Sequence, residues 1–287
     1  MKEIADRVYI ATDFALVTVG AALTEEGWVC IDTPPYPRDA QSWRARLQEI
    51  SPLPVQYVIN TDYHRDRILG NTWFDAPVIA HTRSAEAMLA LRNAFISQAA
   101  EDMSANDNEL VEIASLKPVL PQISFSRSMQ IECGDREFVL SHHPGPTLGN
   151  LWVALPGQQV IFAGDLVVTD QHPVIIEASS KDWLNSLRAL RHDRFSGWTI
   201  VPGRGDIAGV EATEQLSEYL RVARRKAASL LRGMRPRSEV GALAAEFLPY
   251  FAYDPTARDE ALRRIKVGLE AIYDELRNSH DDEPEME

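Results

Sequence analysis

Residues 60–71 read Asn60-Thr61-Asp62-Tyr63-His64-Arg65-Asp66-Arg67-Ile68-Leu69-Gly70-Asn71. The apolar run before them, residues 54–59, predicts a buried strand, so this charged segment begins where a strand ends. Within it, Asp62, His64 and Asp66 carry the carboxylate and imidazole groups that bind divalent metals in proteins. Arg67 carries a guanidinium group, a fixed cation with no lone pair to give a metal. The segment therefore predicts a charged loop with an incomplete set of metal ligands.

Four other short motifs accompany this loop along the chain. They are Ile31-Asp32-Thr33, His143-Pro144-Gly145-Pro146-Thr147-Leu148-Gly149-Asn150, Phe162-Ala163-Gly164-Asp165 and Val201-Pro202-Gly203-Arg204-Gly205. Together with the 60–71 loop, they resemble the ordered motifs of the metallo-β-lactamase superfamily over most of residues 5 to 210. The resemblance implies an α+β fold, a four-layer αββα sandwich with extra C-terminal helices. It also implies that the functional site lies in loops at one edge of the two sheets.

The resemblance further implies how the chain is organised. One metallo-β-lactamase-like domain spans residues 1–278, with a core at about 5–210 and a C-terminal helical extension at 211–278. The residues of the extension support this, because its last helix has an apolar stripe formed by Leu262, Ile265, Leu269, Ile272 and Leu276. Residues 279–287 are rich in acids and are predicted to be disordered.

The superfamily's metal-ligand positions correspond here to Asp62, His64, Asp66, Arg67, Pro146, Asp165 and Arg204. The resemblance assigns residues 62, 64 and 146 to the first metal, residues 66, 67 and 204 to the second, and residue 165 to both. The Pro146 side chain cannot ligate, and Arg67 and Arg204 bring positive charge to the second metal position. We therefore predict that the two-metal site is largely lost, and with it conventional two-zinc hydrolase activity.

The second metal position has a predicted occupant. A guanidinium group pairs bidentately with a carboxylate and can take the space of a cation. Arg67 and Arg204 are therefore expected to pair with Asp66 or Asp165, as two cations against two carboxylates. Under this hypothesis the protein needs no metal and serves as a binding or structural module, with a small molecule as its candidate ligand.

The alternative hypothesis is an enzyme with one metal. Asp62, His64 and Asp165 offer three ligand atoms for a single divalent cation, with zinc as the first candidate. Water activated by that metal would hydrolyse a small ester, thioester, lactam or phosphoester, with Asp66 as the catalytic carboxylate. The residues leave both hypotheses open, and they also allow His64 and Asp66 to be structural residues of the loop.

Three further histidines are candidate replacement ligands. His142 and His143 precede the turn that contains Pro146, and alternation along a strand gives one of them an inward face. His172 lies in the loop after Asp165. Each of the three is alternatively an ordinary core or surface histidine.

The composition argues against two functional classes, general nucleic-acid-binding proteins and membrane-spanning proteins. A formal net charge of −13 argues against general nucleic-acid binding. No apolar run approaches the ~18 residues of a membrane span, and the acidic N-terminus lacks the apolar core of a signal peptide, so we expect a cytoplasmic protein. Cys30 and Cys133 lie in apolar runs and are predicted to be buried thiols without a disulfide.

The sequence does not decide the roles of two further segments. Residues 82–116 predict helices that form a lid over the site, with Phe95, Ile96 and Met103 among the apolar residues of the lid. The basic run from Arg221 to Arg237 predicts either a solvated helix face or an anion site, with the chain's own acidic tail as one candidate partner.

Overall fold

The computed structural model describes residues 1–14, 16–90, 101, 107–116 and 119–281. Three residues of the predicted lid, Phe95, Ile96 and Met103, lie outside these ranges. The last helix runs to Asp281 and so includes the first residues of the predicted acidic tail, whereas residues 282–287 lie outside the described part.

Two β-sheets form the centre of the fold. The first has the strand order β1-β2-β3-β4-β5-β6-β7 and the second the order β12-β11-β10-β9-β8. The strands are β1 (Lys2–Ala5), β2 (Val8–Ala11), β3 (Val19–Leu23), β4 (Trp28–Ile31), β5 (Val55–Ile59), β6 (Val78–His81), β7 (Ile123–Phe125), β8 (Ser128–Cys133), β9 (Arg136–His142), β10 (Leu151–Leu155), β11 (Val160–Val168) and β12 (Thr199–Arg204).

Parallel pairing brings several strand ends to one edge. In the first sheet, β4, β5, β6 and β7 run parallel to one another, and in the second sheet β11 runs parallel to β12. The carboxyl ends of parallel strands meet at the same edge of a sheet, where open α/β sheets place their ligands. Asp32, Asn60 and Arg204 all lie at such ends, so the topology gathers residues that are far apart in sequence.

Helices cover the outer faces of both sheets. They are α1 (Pro37–Ile50), α2 (Arg65–Ile68), α3 (Thr82–Ala90), α4 (Asp107–Ala114), α5 (Ser180–Leu190), α6 (Ala212–Arg232), α7 (Arg237–Gly241), α8 (Ala244–Phe247) and α9 (Arg258–Asp281). Helix α1 begins at Pro37, which is pre-organised for a first helical position. It packs Trp43 and Leu47 on the first sheet. Helices α5 and α6 pack on the second sheet, and α9 packs on α6 and α7.

The packing makes four layers, and the predicted α+β sandwich with extra C-terminal helices is confirmed. Inward-facing apolar residues of both sheets form the central core, among them Ile31, Leu140 and Phe162. The Phe162 ring packs against Gly20, where an added Cβ would come within 2.1 Å of the ring. Glycine at position 20 therefore permits this contact between the sheets.

Three strands go beyond what the sequence analysis predicts. The N-terminal strands β1 and β2 were not predicted, because each has only four residues and β1 is half-exposed. Strand β11 runs through the Phe162-Ala163-Gly164-Asp165 motif and on to Val168. Asp165 consequently lies inside a buried strand, which fixes its position more firmly than a loop would.

The basic run pairs within the helical extension. Arg224 lies 3.1 Å from Glu275, and Arg237 lies 2.9 Å from Glu270. These acids belong to α9, so the charges of the run tie the C-terminal helices to one another.

Both cysteines are buried and free, as predicted. In the described part of the chain, the helices lack the combination of length and apolar character that a membrane span requires.

Candidate functional site

The 60–71 loop is braced by buried amide side chains. Asn71 Nδ2 donates to Asn60 Oδ1 at 2.7 Å, and Asn60 Nδ2 donates to the Arg67 carbonyl at 3.1 Å. Thr33 Oγ1 adds a bond to Asn71 Oδ1 at 3.0 Å from the end of β4. These bonds hold the backbone on both sides of α2, so the side chains of Asp62, His64 and Arg67 start from a fixed frame.

Arg67 lies at the centre of the site, with a side chain that is 0% exposed. Its Nη1 donates to Asp32 Oδ2 at 3.0 Å, and its Nη2 donates to Asp165 Oδ1. Its Nε lies 3.2 Å from Asp62 Oδ1 but outside hydrogen-bond geometry. One guanidinium group therefore contacts three buried carboxylates.

Arg204 approaches the same carboxylate from β12. Its Nε lies 3.2 Å from both oxygens of Asp165, and its Nη2 donates to Asp66 Oδ2. A Cβ at Gly203 would come within 2.4 Å of Asp165 Oδ1, so glycine at that position lets β12 lie against Asp165. The predicted pairing of both arginines with Asp66 and Asp165 is thus present.

Asp62, His64 and Asp165 form a second part of the site. His64 Nδ1 lies 3.0 Å from Asp62 Oδ2 and 3.7 Å from Asp165 Oδ2. The His64 backbone N–H also donates to Asp62 Oδ1 at 2.8 Å. One ligand atom from each of these residues lies within 4.8 Å of the others, which is the spacing of a group that could hold a metal ion.

The charge balance differs from the prediction. Four carboxylates contact the two guanidinium groups, because Asp32 and Asp62 join Asp66 and Asp165. The expected balance of two against two is therefore wrong. Four negative charges minus two positive charges leave two negative charges when His64 is neutral, and one when it is protonated.

The pKa values reflect this balance. Burial raises the pKa of Asp32 to about 6, an effect that Arg67 offsets only in part. Burial alone would raise the pKa of Asp165, but Arg204 and Arg67 outweigh burial and hold it far below its usual range. Burial alone would lower the pKa of His64, but Asp62 and the other carboxylates outweigh it and raise the pKa to about 9. In the absence of a metal, His64 is therefore an imidazolium at neutral pH.

The three candidate replacement histidines have other neighbours. His142 stacks on His81 with ring centroids 3.7 Å apart, and its Nε2 lies 2.9 Å from the Leu148 carbonyl. His143 stacks on Trp152, and burial lowers its pKa to about 3. Stacking and backbone contacts thus hold these two rings.

His172 is buried among aromatic rings of the C-terminal helices, such as Phe251. Among the described residues, Asp62, His64 and Asp165 form the group of potential metal ligands, and His142, His143 and His172 are not part of it. Pro146 is buried in the turn between β9 and β10.

Sequence reasoning missed two participants in the site. Asp32 was noted only as part of a motif, yet it accepts the Thr61 backbone N–H at 2.8 Å and contacts Arg67. Its place at the end of a parallel strand was the available signal. Tyr63 donates its hydroxyl to Glu177, which ties the 60–71 loop to the segment after β11. No pattern in the sequence indicated that contact.

Comparison with known proteins identifies a matching family and several solved structures with a similar fold. The family model described as metallo-beta-lactamase superfamily matches residues 13–204, more than half of the chain. A metallo-β-lactamase from Pontibacter korlensis is 20% identical with a TM-score of 0.60, over 77% of this chain and 97% of that one. A metallo-β-lactamase family protein from Thermus thermophilus is 18% identical with a TM-score of 0.67, over 96% and 94% of the two chains.

A longer protein shares the fold as well. The stereoselective inverting sec-alkylsulfatase from Pseudomonas sp. has 14% identity and a TM-score of 0.72, over 98% of this chain and 51% of its own length. At such identities the structural likenesses show the fold alone.

Proposed function

Because the chain belongs to the metallo-β-lactamase superfamily, we propose that it is a small-molecule-binding member that works without the superfamily's two-metal centre. In this proposal, the guanidinium groups of Arg67 and Arg204 stand where the second metal would lie. The observation that carries the proposal is that both groups bond to Asp165, the carboxylate expected to bridge two metals.

The donor set of the second metal position does not fit a divalent cation. Arg67 and Arg204 replace two ligands with fixed positive charges, and their nitrogens have no lone pair to give. Asp66 and Asp165 remain, but Arg204 bonds to both of them. A divalent cation there would have to displace a buried guanidinium group, which would lose its charge-assisted hydrogen bonds and be left close to the metal.

One observation favours the second candidate, a hydrolase with a single metal. The ligand atoms of Asp62, His64 and Asp165 are close enough to converge on one cation. A divalent cation would also neutralise the two negative charges that remain when His64 is neutral. When bound, it would supply a Lewis acid for hydrolysis of a small ester, thioester, lactam or phosphoester.

Asp66 has the chemistry to serve that second candidate as a proton acceptor. Its Oδ2 accepts from Arg204, while its Oδ1 is buried without a hydrogen-bond partner in the described part of the chain. Oδ1 lies 3.8 Å from Arg67 Nε. A carboxylate oxygen with a free lone pair has the chemistry to accept a proton.

The proposal predicts the metal content. Protein purified without chelators and then dialysed should hold well under two equivalents of zinc, with none bound tightly, because imidazole ligands are missing at positions 62, 67, 146 and 204. Elemental analysis and native mass spectrometry measure this. Two tightly held equivalents would contradict the proposal. One equivalent that disappears in His64→Gln would instead support the single-metal candidate.

The metal-free state also predicts a dependence of stability on pH. The folded pKa of His64, about 9, lies above its ordinary value of 6.5. The stability from the protonated ring is therefore complete below pH 6.5 and is lost as the pH rises through 9. We expect the free energy of unfolding to fall by at most about 3 kcal/mol across this window. Asp32 has a raised pKa of about 6, so the stability that its protonated form contributes is already largely lost at the start of this pH window.

Denaturant unfolding at several pH values tests this expectation, with His64→Gln as the control. The variant should show a flatter profile between pH 6.5 and 9 than the natural chain. A natural chain whose stability is constant over this window would indicate that His64 is unprotonated throughout, as it would be with a metal on Nδ1.

A further inference from the structure

A groove of about 340 Å³ lies beside the first turns of α9 and shares no residue with the carboxylate–guanidinium site. One wall is formed by residues 174–176, in the segment after β11. The other wall is formed by residues of α9, which are Glu260, Arg263, Arg264 and Val267. These four positions follow the spacing i, i+3, i+4 and i+7, so they lie on one face of the helix. The volume is that of a small-molecule site.

Both walls of the groove expose large apolar side chains. Ile176 is 61% exposed and Val267 is 46% exposed. Ile175, between them in the lining, is 2% exposed and packs against α9, where a Cβ added at Gly268 would lie 3.2 Å from the Ile175 Cβ. This contact holds the two walls together. Because covering exposed apolar surface is favourable, an apolar chain in the groove would be stabilised by Ile176 and Val267.

The groove also carries a positive charge that has no ion-pair partner. Arg264 Nη2 lies 3.3 Å from Glu260 Oε1, so the charges of these two residues offset each other. Arg263 is exposed, and within the described part of the chain its guanidinium group makes neither a hydrogen bond nor an ion pair. Asp259, one helical turn earlier, is not part of the groove wall. The lining therefore has one net positive charge next to its apolar surface.

This local charge, rather than the net charge of the whole chain, decides which ligand the groove favours. The chain as a whole carries −13, but exposed charges more than about 8–10 Å apart are largely screened at physiological ionic strength. A guanidinium group forms bidentate, charge-assisted hydrogen bonds with a carboxylate. The combination of an unpaired arginine and an apolar groove therefore fits an amphipathic anion.

We propose that this groove binds a medium-chain fatty acid as its free carboxylate. The head group pairs with Arg263, and the alkyl chain lies over Ile175 and covers Ile176 and Val267. The site is independent of the carboxylate–guanidinium site and of whether that site binds a metal.

The test uses the full chain and probes that share one alkyl chain. Octanoate, 1-octanol and octylammonium are titrated separately, at concentrations where they do not aggregate, and binding is followed by calorimetry and by the methyl resonances of isotope-labelled isoleucine. Octanoate should bind saturably and shift the Ile176 resonance. Octanol should bind about fivefold more weakly, the effect of losing one exposed ion pair, and octylammonium more weakly still.

Chain length tests the apolar part of the groove. Hexanoate keeps the carboxylate but has two methylene groups fewer than octanoate. It should bind about fivefold or more weakly, because less apolar surface is covered.

Variants localise the effect. Arg263→Gln should weaken octanoate binding about fivefold and leave octanol binding unchanged, because only the ion pair is lost. Ile176→Ser should weaken the binding of both probes. The matched control is Arg225→Gln, which removes an exposed charge of α6 outside the groove and should change neither.

Three results would overturn the proposal. Equal binding of octanoate and octanol would mean an apolar groove that does not recognise the carboxylate. Octanoate binding that is unchanged in both Arg263→Gln and Ile176→Ser would place the fatty acid elsewhere on the protein. Binding to anionic phospholipid vesicles without saturable binding of octanoate would mean a membrane-contacting surface instead of a fatty-acid site.

Discussion

Replacing Arg67 with alanine is expected to lower the free energy of unfolding by about 3–5 kcal/mol, the usual cost of stranding a buried charge partner. The variant leaves Asp32, Asp62 and Asp165 without the guanidinium group that lies between them. Buried carboxylates that lose their cation repel one another and shift their pKa values upward until some are neutral. Urea unfolding monitored by tryptophan fluorescence measures the loss.

Arg38→Ala is the matched control for that experiment. The Arg38 side chain is 89% exposed, and its Nε lies 3.4 Å from Oδ1 of its neighbour Asp39. An exposed pair of this kind contributes about 0–1 kcal/mol, so the control should remain close to the natural chain. Equal stability of the two variants would show that the Arg67 guanidinium group does not stabilise the folded protein.

Restoring imidazole at the exchanged positions should create zinc affinity. In the combined variant Arg67→His, Pro146→His and Arg204→His, the two guanidinium groups are gone and three new ligands are present. Structural zinc sites with four ligands are worth about 10–16 kcal/mol, or roughly 3 kcal/mol per ligand. We therefore expect zinc affinity to rise by at least about a hundredfold.

The same variant should be less stable than the natural chain without metal and should regain stability when zinc is added, because the metal binds the folded state. The matched control carries alanine at residues 67, 146 and 204. It loses the same charges but gains no ligand, so zinc should not stabilise it. If zinc stabilised both variants equally, the restored imidazoles would not be the ligands.

Much of the architecture could be predicted because its signals are local. Helix α1 is predicted by the spacing of Ala40, Trp43 and Leu47, and all three are buried. The positions of Asp66 and Arg204 near one another could be predicted only through the resemblance, since 138 residues separate them. Periodicity alone contains no information about that contact.

The composition of the charge network was less predictable. Asp32 follows β4 and reaches Arg67 because β4 and β5 are parallel neighbours, a feature of the sheet order rather than of any short motif. The burial of Arg67 was also not predictable from the sequence, since a charged residue in a loop is usually exposed. The extra carboxylates matter, because they turn an expected neutral cluster into one that retains negative charge.

The position of the His172 side chain was also not predictable from the sequence. Its place in the loop after Asp165 suggested a replacement metal ligand. The structure packs its ring 5.5 Å from the Phe251 ring and near Tyr219, within the helical extension. A side chain that points away from the nearest motif cannot be recognised from spacing, because the loop's direction depends on which helices cover the sheet.

The central claim is that guanidinium groups, rather than a second metal, lie between Asp66 and Asp165. Crystals soaked in zinc, with anomalous diffraction recorded at the zinc edge, test it directly. We expect Arg67 and Arg204 to be paired with these carboxylates, with no anomalous peak between Asp66 and Asp165. A zinc peak bonded to both carboxylates, with the two guanidinium groups displaced from them, would contradict it.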